Sequence, residues 1–508
     1  MTVESSPQKI EIAIIGGGIG GLAFVLAMQR FCDMSKFNIN VYEAATKISQ
    51  IGAGITVWPR TIEMLTDLGM GKDFEAFCVD NEKLRSFVCR KSDQPEGHTF
   101  REIFLEDGNM LMVHRAEVQE IFLEYISKDI HFHLCHRLES YTYADTNSPH
   151  RVHLKFCDGQ SAYCDLLIGA DGVNSVVRRA FLPRLAEKYG RPEYKESIEP
   201  LFSGSCVYRG LIPREKLAER WPGHPALDRP YQYCGKNMHI VVFPVQKGRF
   251  INVVPFYFNR AQEDTTWEGP ALRDATREEI LKMYEGWEPE VQALLECMEN
   301  PTHWAILTVK PVDIYADDGV ILLGDAVHAL TPHLGAGAGQ AIEDAYVLGR
   351  ILGHVSGTAK SGLTTSSLHG VILPSKSSSI AINGTSFANG IFPANGISPA
   401  NDISPALISL SEKAIALYNR LRPPIANFVQ ARARLQTRFY NFNEVGEDLS
   451  LIEAGSPVLA EVKEGAGVMD EGRLAKLGHG ICDGYHWRKH SIVRETDEEM
   501  KRLLGDAV

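Results

Sequence analysis

The chain is 508 residues long, 44% hydrophobic and 23% charged, enough for about two or three domains, each with a core of its own. Its formal net charge of −12 excludes a surface built to track nucleic acid or an anionic membrane, so an anionic ligand has to meet a local cluster of positive charge. The ten cysteines, Cys32, Cys78, Cys89, Cys135, Cys157, Cys164, Cys206, Cys234, Cys297 and Cys482, form no CxxC pair and no metal-ligand spacing, and no basic-then-apolar leader or apolar run of about 18 residues occurs, so reduced thiols, no metal and a soluble, cytoplasmic protein are expected.

The first predicted element is a strand over the apolar run Ile10 to Ile15, which enters GGGIGG at Gly16 to Gly21 and a helix from Leu22 to Met28. Gly16, Gly18 and Gly21 therefore sit where a strand turns into a helix, and that turn lets backbone N–H groups and the helix N-terminus approach a pyrophosphate. Glu43 ends the next apolar stretch, Phe37 to Tyr42, 22 residues beyond Gly21, where an acidic side chain accepts hydrogen bonds from a ribose diol. A dinucleotide site follows; NAD and FAD share this phosphate chemistry, and the segment alone leaves the choice open.

Further along, His114-Arg115 precedes a helical run, Ala116 to Ile126, and a second glycine-centred segment, LLIGADGVNSVVRR, spans Leu166 to Arg179. Alternating apolar patterns such as Met238 to Phe243 and Arg249 to Phe256 predict antiparallel strands between Ala186 and Lys310. The third glycine segment, Val320 to Ala345, reads as a buried strand to Leu323, the pair Gly324-Asp325, a loop with His328, Pro332 and His333, and a helix from about Gly337. Gly335 to Gly339 leave room for a flat ring, and the positive end of that helix points at whatever it meets. Next, Val355 to Ser409 is rich in Ser, Gly, Asn and Pro, with an imperfect repeat from Phe387 to Ala406. It reads as a surface insert rather than a folded module.

In this order the three glycine segments resemble the group A aromatic-ring hydroxylases, single-component FAD monooxygenases, and TPHLGAGAGQAIEDA is similar to salicylate hydroxylases in particular. The resemblance runs from Ile10 to about Phe442 and includes Leu417 to Gln436, similar to the family's late helix, with Arg422-Pro423 at its usual break. It agrees with the mixed α/β fold expected from the strand and helix signals: a discontinuous Rossmann-like FAD-binding domain (1–80, 115–185, 311–354 and a late helix over 410–445) and an antiparallel-sheet substrate domain (81–114 and 186–310) roofing the flavin. The insert at 355–409 departs from the family pattern, and a C-terminal tail with a terminal helix (446–508) is expected beyond it. The implied cofactor set is Gly16, Gly18, Ile19, Gly20, Gly21, Glu43, Gly54, Arg115, Asp171, Gly324, Asp325, Gly337 and Ala338.

The resemblance also implies the chemistry. NADPH or NADH reduces FAD, O2 forms a C4a-hydroperoxyflavin, and a phenol, activated as phenolate, takes the distal oxygen. The protein then has to supply positive charge, exclude water and admit the nicotinamide. Arg209, in CVYRG, stands where related members place a substrate-binding arginine; an arginine paired with an acid on the sheet surface is the competing reading. Phe243 and His239 are expected on the same roof, with a core histidine as the alternative for His239. Many relatives carry Tyr where Phe243 stands, so phenol activation by a hydroxyl there is in doubt. His333, after Pro332, matches a histidine beside the reactive face of the flavin; a satisfied loop histidine competes with that role. His328 reads as structural.

The expected activity is hydroxylation of a hydroxybenzoate- or salicylate-like small aromatic substrate, with or without decarboxylation. A dearomatising or epoxidising monooxygenase, or a non-oxygenating FAD oxidoreductase on the same fold, is the alternative. A cofactor-free binding module fits poorly, since Gly18, Glu43 and Asp325 are all retained. NADH against NADPH, and monomer against homodimer, stay open.

Overall fold

The computed structural model describes residues 9–48, 54–77, 86–104, 110–144, 148, 150–357, 405–443, 458–459, 469–483, 485 and 492–504. Cys78, residues 358–404 of the insert and much of the 446–508 tail lie outside the described residues.

Two large sheets organise the molecule. In the first, the strands Ala316–Asp317, Val320–Leu322, Leu166–Gly169, Ile10–Ile15, Phe37–Glu43 and His131–Leu134 lie side by side in that order. All neighbours run parallel except the first pair. Both faces of this sheet are covered, which is why its central strands are nearly continuous apolar runs. The three strands that carry the glycine segments are adjacent, so Gly16, Ala170 and Gly324 all emerge at one carboxyl edge, the place where open α/β sheets bind their ligands.

Two helices meet closely on one face of that sheet. Helix Ile19–Phe31 is buried along most of its length, and a Cβ at Gly349, on helix Gly337–Val355, would come within 2.6 Å of Ala27. Glycine there lets the two backbones approach.

The second sheet has eight strands in the order Leu272–Asp274, Thr302–Thr308, Leu201–Pro213, Phe250–Thr265, Met238–Val245, Tyr231–Gly235, Ser86–Lys91 and His98–Phe104. It is antiparallel except where Ser86–Lys91 runs parallel to Tyr231–Gly235. A smaller three-stranded sheet (Leu138–Tyr143, Val152–Phe156, Ser161–Cys164) packs beside the nucleotide sheet.

The late helix, Pro405–Tyr440, continues through Pro423 and Pro424 without interruption, which corrects the expected break at Arg422-Pro423. Proline removes two ladder hydrogen bonds, and side chains on either side hold the segment in place. Asn419 accepts from the Tyr315 and Ala316 N–H groups and donates to the Ala316 carbonyl. Buried Arg422 pairs with Glu343 and Asp344. No helix among the described residues is long and apolar enough to cross a membrane.

Candidate active site

A cavity of about 350 Å³ lies between the carboxyl edge of the nucleotide sheet and the inner face of the eight-stranded sheet. Its floor is built from the three glycine segments: Gly18, Ile19 and Gly20 from the first, Ala170 and Gly172 from the second, and Leu323 to Asp325 with Pro332 to Ala338 from the third. Gly16 adopts φ +108°, and a Cβ there would lie 2.3 Å from the Ala170 carbonyl oxygen. Glycine at this turn therefore lets the first two segments touch.

Each expected floor residue has a distinct place. Gly18, Ile19, Gly20, Gly54, Arg115, Gly324, Asp325, Gly337 and Ala338 line the cavity. Glu43 stands behind it: its two carboxylate oxygens accept from the Gly17 and Ala45 N–H groups, both at 2.8 Å, so it shapes the glycine turn. Gly16 and Gly21 form the turn itself, behind the lining. Asp171 turns its Oδ2 onto the N–H groups of Val176 and Val177 at 2.7 and 3.2 Å, opening helix Val176–Lys188. Burial pushes its pKa up against those hydrogen bonds. Asp171 thus sets the second segment while its neighbours Ala170 and Gly172 meet the cavity.

Arg115 begins helix Arg115–Tyr125. Its Nε is buried with no hydrogen-bond partner among the described residues. Burial lowers its pKa, and Asp325 opposes that shift. Asp325 is exposed towards the cavity. The turn before it is held from behind, where Asp344 Oδ2 accepts from the Gly324 N–H at 2.7 Å and from His328 Nε2 at 2.6 Å. His328 is therefore tied into the support of the turn.

The roof brings together residues from four strands. Arg209, Gln232, Val241, Phe243, Asn252, Val254 and Phe256 line it. Phe243 lies against Gly54, where a Cβ would come within 3.2 Å of its ring. Arg209 is half-buried. Its guanidinium lies 5.2 Å from the centre of the Trp304 ring, and it makes no ion pair among the described residues. Burial, with Arg115 adding to it, lowers its pKa to about 10. Of the lining residues only Asp325 is a carboxylate, against two arginines, so the cavity carries local positive charge inside a protein of net charge −12.

His333 also lines the cavity. Its Nδ1 lies 2.8 Å from Thr437 Oγ1, while Nε2, on the opposite edge, is buried without a partner among the described residues. Burial, reinforced by His239, pushes its pKa well below the usual histidine range. His239, expected on the roof surface, sits one layer behind. It shares a strand face with Val241 and Phe243, but beyond the cavity edge, stacked on Phe256 at 4.4 Å and bonded to Asn441 through Nδ1 at 3.0 Å. Burial lowers its pKa to about 3.

Trp58, Gln232, Asn252 and Tyr485 are among the lining residues that carried no sequence motif. Trp58 donates from Nε1 to the Leu334 and Gly335 carbonyls at 3.0 and 3.1 Å, pinning the third glycine segment. Gln232 is 4% exposed and its Nε2 has no partner among the described residues. Asn252 faces the same space. Tyr485, from the C-terminal region, closes the wall and bonds Tyr440 through its hydroxyl at 2.7 Å. The only signal for Gln232 and Asn252 was their placement in otherwise apolar strands. Tyr485 carried none.

A family model described as FAD binding domain matches residues 9–189 and 222–367. A salicylate hydroxylase of Pseudomonas putida is 34% identical over 357 residues, covering 69% of this chain and 78% of that enzyme. A 6-methylsalicylate 1-monooxygenase of Aspergillus terreus is 31% identical over 364 residues, 69% of this chain and 76% of that enzyme. Among solved structures, a salicylate hydroxylase substrate complex superposes with a TM-score of 0.70 at 23% identity, covering 97% of this chain and 98% of that one.

Proposed function

Because the chain belongs to the FAD binding domain family and is an FAD-dependent aromatic monooxygenase similar to salicylate hydroxylases, we propose that it hydroxylates a small phenolic carboxylate with NADPH or NADH and O2. When bound, FAD supplies the reducing and oxygen-activating chemistry. The residues present fit it. Arg115, whose buried Nε has no partner among the described residues, suits an anionic linker beside Gly18. Asp325 suits hydroxyl groups, and the N-terminus of helix Gly337–Val355 favours negative charge on a ring lying against it.

Arg209 carries the reading of the substrate, as a half-buried cation on the cavity wall with no acid beside it among the described residues. A carboxylate or phenolate supplies the missing charge, and the contact also stabilises the ionised phenol. Phe243, Val241, Val254 and Phe256 hold the ring by apolar contact and exclude water. His333, kept neutral by burial, presents Nε2 as an acceptor for the phenolic proton.

Oxygen uptake by the flavin-loaded protein with NADH or NADPH provides the test, run with hydroxybenzoates, salicylate and uncharged alkyl phenols and read by product mass. We expect the carboxylated phenols to stimulate uptake and to gain one oxygen; the mass also reports whether the carboxylate is retained. Equal or better turnover of the uncharged phenols would overturn the assignment of Arg209.

A further inference from the structure

A second cavity, of about 160 Å³, ends at Thr437, whose hydroxyl touches His333 from behind. Thr331 and Thr437 line it together with Glu263, Asp264 and Lys310, and Leu330 belongs to the walls of both cavities. Asp264 and Lys310 keep more than a third of their side-chain surface exposed, so this cavity opens to solvent and has room for several waters. Thr437 and Thr331 are 2% and 3% exposed. Thr437 Oγ1 lies 2.8 Å from His333 Nδ1 and 3.2 Å from Thr331 Oγ1. An unbroken line of exchangeable groups thus runs from the main cavity through the imidazole and two hydroxyls to the second cavity.

Burial opposes a charged ring at this position. An imidazole that accepts a proton at Nε2 must therefore release one from Nδ1. Thr437 stands at that nitrogen, and an isolated structural threonine on a helix would need only its Ala433 carbonyl, at 3.2 Å.

We propose that the phenolic proton leaves the main cavity through His333, Thr437 and Thr331 into the second cavity. The proposal rests on the phenolic reading given above. As the phenol O–H bond breaks, its proton bonds to Nε2. The Nδ1–H proton passes to Thr437 Oγ1, the Thr437 hydroxyl proton passes to Thr331 Oγ1, and the Thr331 hydroxyl proton passes to water. The ring ends neutral in its other tautomer, the phenol ends as phenolate, and one proton reaches solvent. No oxidant or reductant takes part. Glu263 and Asp264, ion-paired with Arg434, stand at the mouth where the proton meets solvent, while His239 and Tyr440 pack against the ring from the other sides. Thr437 and Thr331 act through His333 as positioning residues.

The test is stopped-flow mixing of the FAD-loaded protein with a nitrosalicylate, whose phenolate has its own visible band. In the parent protein we expect the band to form on binding. Thr437→Val should slow its appearance by about a hundredfold, the low end for a positioned proton-transfer group, with the dissociation constant within about twofold and with an enlarged solvent deuterium isotope effect, and Thr437→Ser should restore the parent rate. Thr331→Val, which removes the next hydroxyl outward, should slow the step likewise, so a misfolded Thr437 variant does not decide the matter. A band formed as fast in both valine variants as in the parent overturns the relay alone. Absence of the band in the parent overturns the phenolate reading and the relay with it.

Discussion

A guanidinium that lines a cavity without an acid beside it loses hydration that a ring contact returns only in part. Arg209 has no acid beside it among the described residues, only the Trp304 ring, and its lowered pKa has burial as its main cause. A charge-assisted contact to a bound carboxylate contributes about 1.5 to 3 kcal/mol, roughly ten- to a hundredfold in affinity. Arg209→Met is therefore expected to weaken binding of a hydroxybenzoate by about that factor, to leave flavin content unchanged, and to divert reducing equivalents to hydrogen peroxide. Ligand titration, flavin absorbance and a peroxide assay check the three parts.

At this scale the sequence was legible wherever a residue type is tied to a turn. Gly18, Gly324, Asp325 and Gly337 stand in the cavity lining because strand-to-helix turns leave no other place for them. Gln232, Asn252 and Tyr485 were not legible, because a polar residue on an apolar strand or in a distant tail becomes a wall only through sheet order and chain return. His239 shows the limit of periodicity: period two gives the correct face, but not where along the strand the cavity ends.

Among the elements, the late helix braces the third glycine segment from several sides. Asn419, Arg422, Gln430 and Thr437 project from it onto strand Ala316–Asp317, onto Glu343 and Asp344, onto the Val309 and Ala329 carbonyls, and onto His333. Arg422 is fully buried between its two carboxylates. Removing one member of such a buried set leaves the rest uncompensated, at a cost of about 3 to 5 kcal/mol. Arg422→Met is expected to lose that much stability in urea denaturation. It should also release FAD more readily in equilibrium dialysis, because Asp344 holds the Gly324 N–H. The motif pattern announced this helix, but its passage through Pro423 and Pro424 could not be read from sequence, since the bonds that support it come from other elements.

For the molecule as a whole, buried neutral imidazoles tie stability to pH. His239 and His333 both have depressed folded-state pKa values, His239 at about 3, whereas an unfolded histidine titrates near 6.5. Their contribution is fully present above pH ~6.5 and is lost as pH falls below it, because only the unfolded chain takes up the protons. Between pH 7 and 5.5 the two together are expected to lower unfolding free energy by about 2 to 3 kcal/mol. Urea midpoints of the parent and of the His239→Gln/His333→Gln double variant measure this: the fall should shrink in the double variant.

The connection between helix Gly337–Val355 and the late helix admits a second test at this scale. Closure entropy changes slowly with length, so replacing residues 358–404 with a short Gly/Ser linker is expected to leave flavin content and turnover within about twofold of the parent. Retained FAD with lost turnover would instead assign the segment a part in the substrate entrance.

The order of strands in the nucleotide sheet carries a consequence in time. Strand Leu166–Gly169 pairs with Ile10–Ile15 on one side and with Val320–Leu322 on the other, so its second neighbour is translated some 150 residues later. At ~5–20 residues per second, a ribosome takes about 8 to 30 s to cover that stretch. Throughout that interval an apolar strand edge stands open on the nascent chain, where it can pair with a neighbouring copy. The flavin cradle also stays incomplete until its third glycine segment leaves the exit tunnel. Cofactor loading thus follows synthesis of the third segment, and the interval before it is when the open edge is most exposed to wrong pairing.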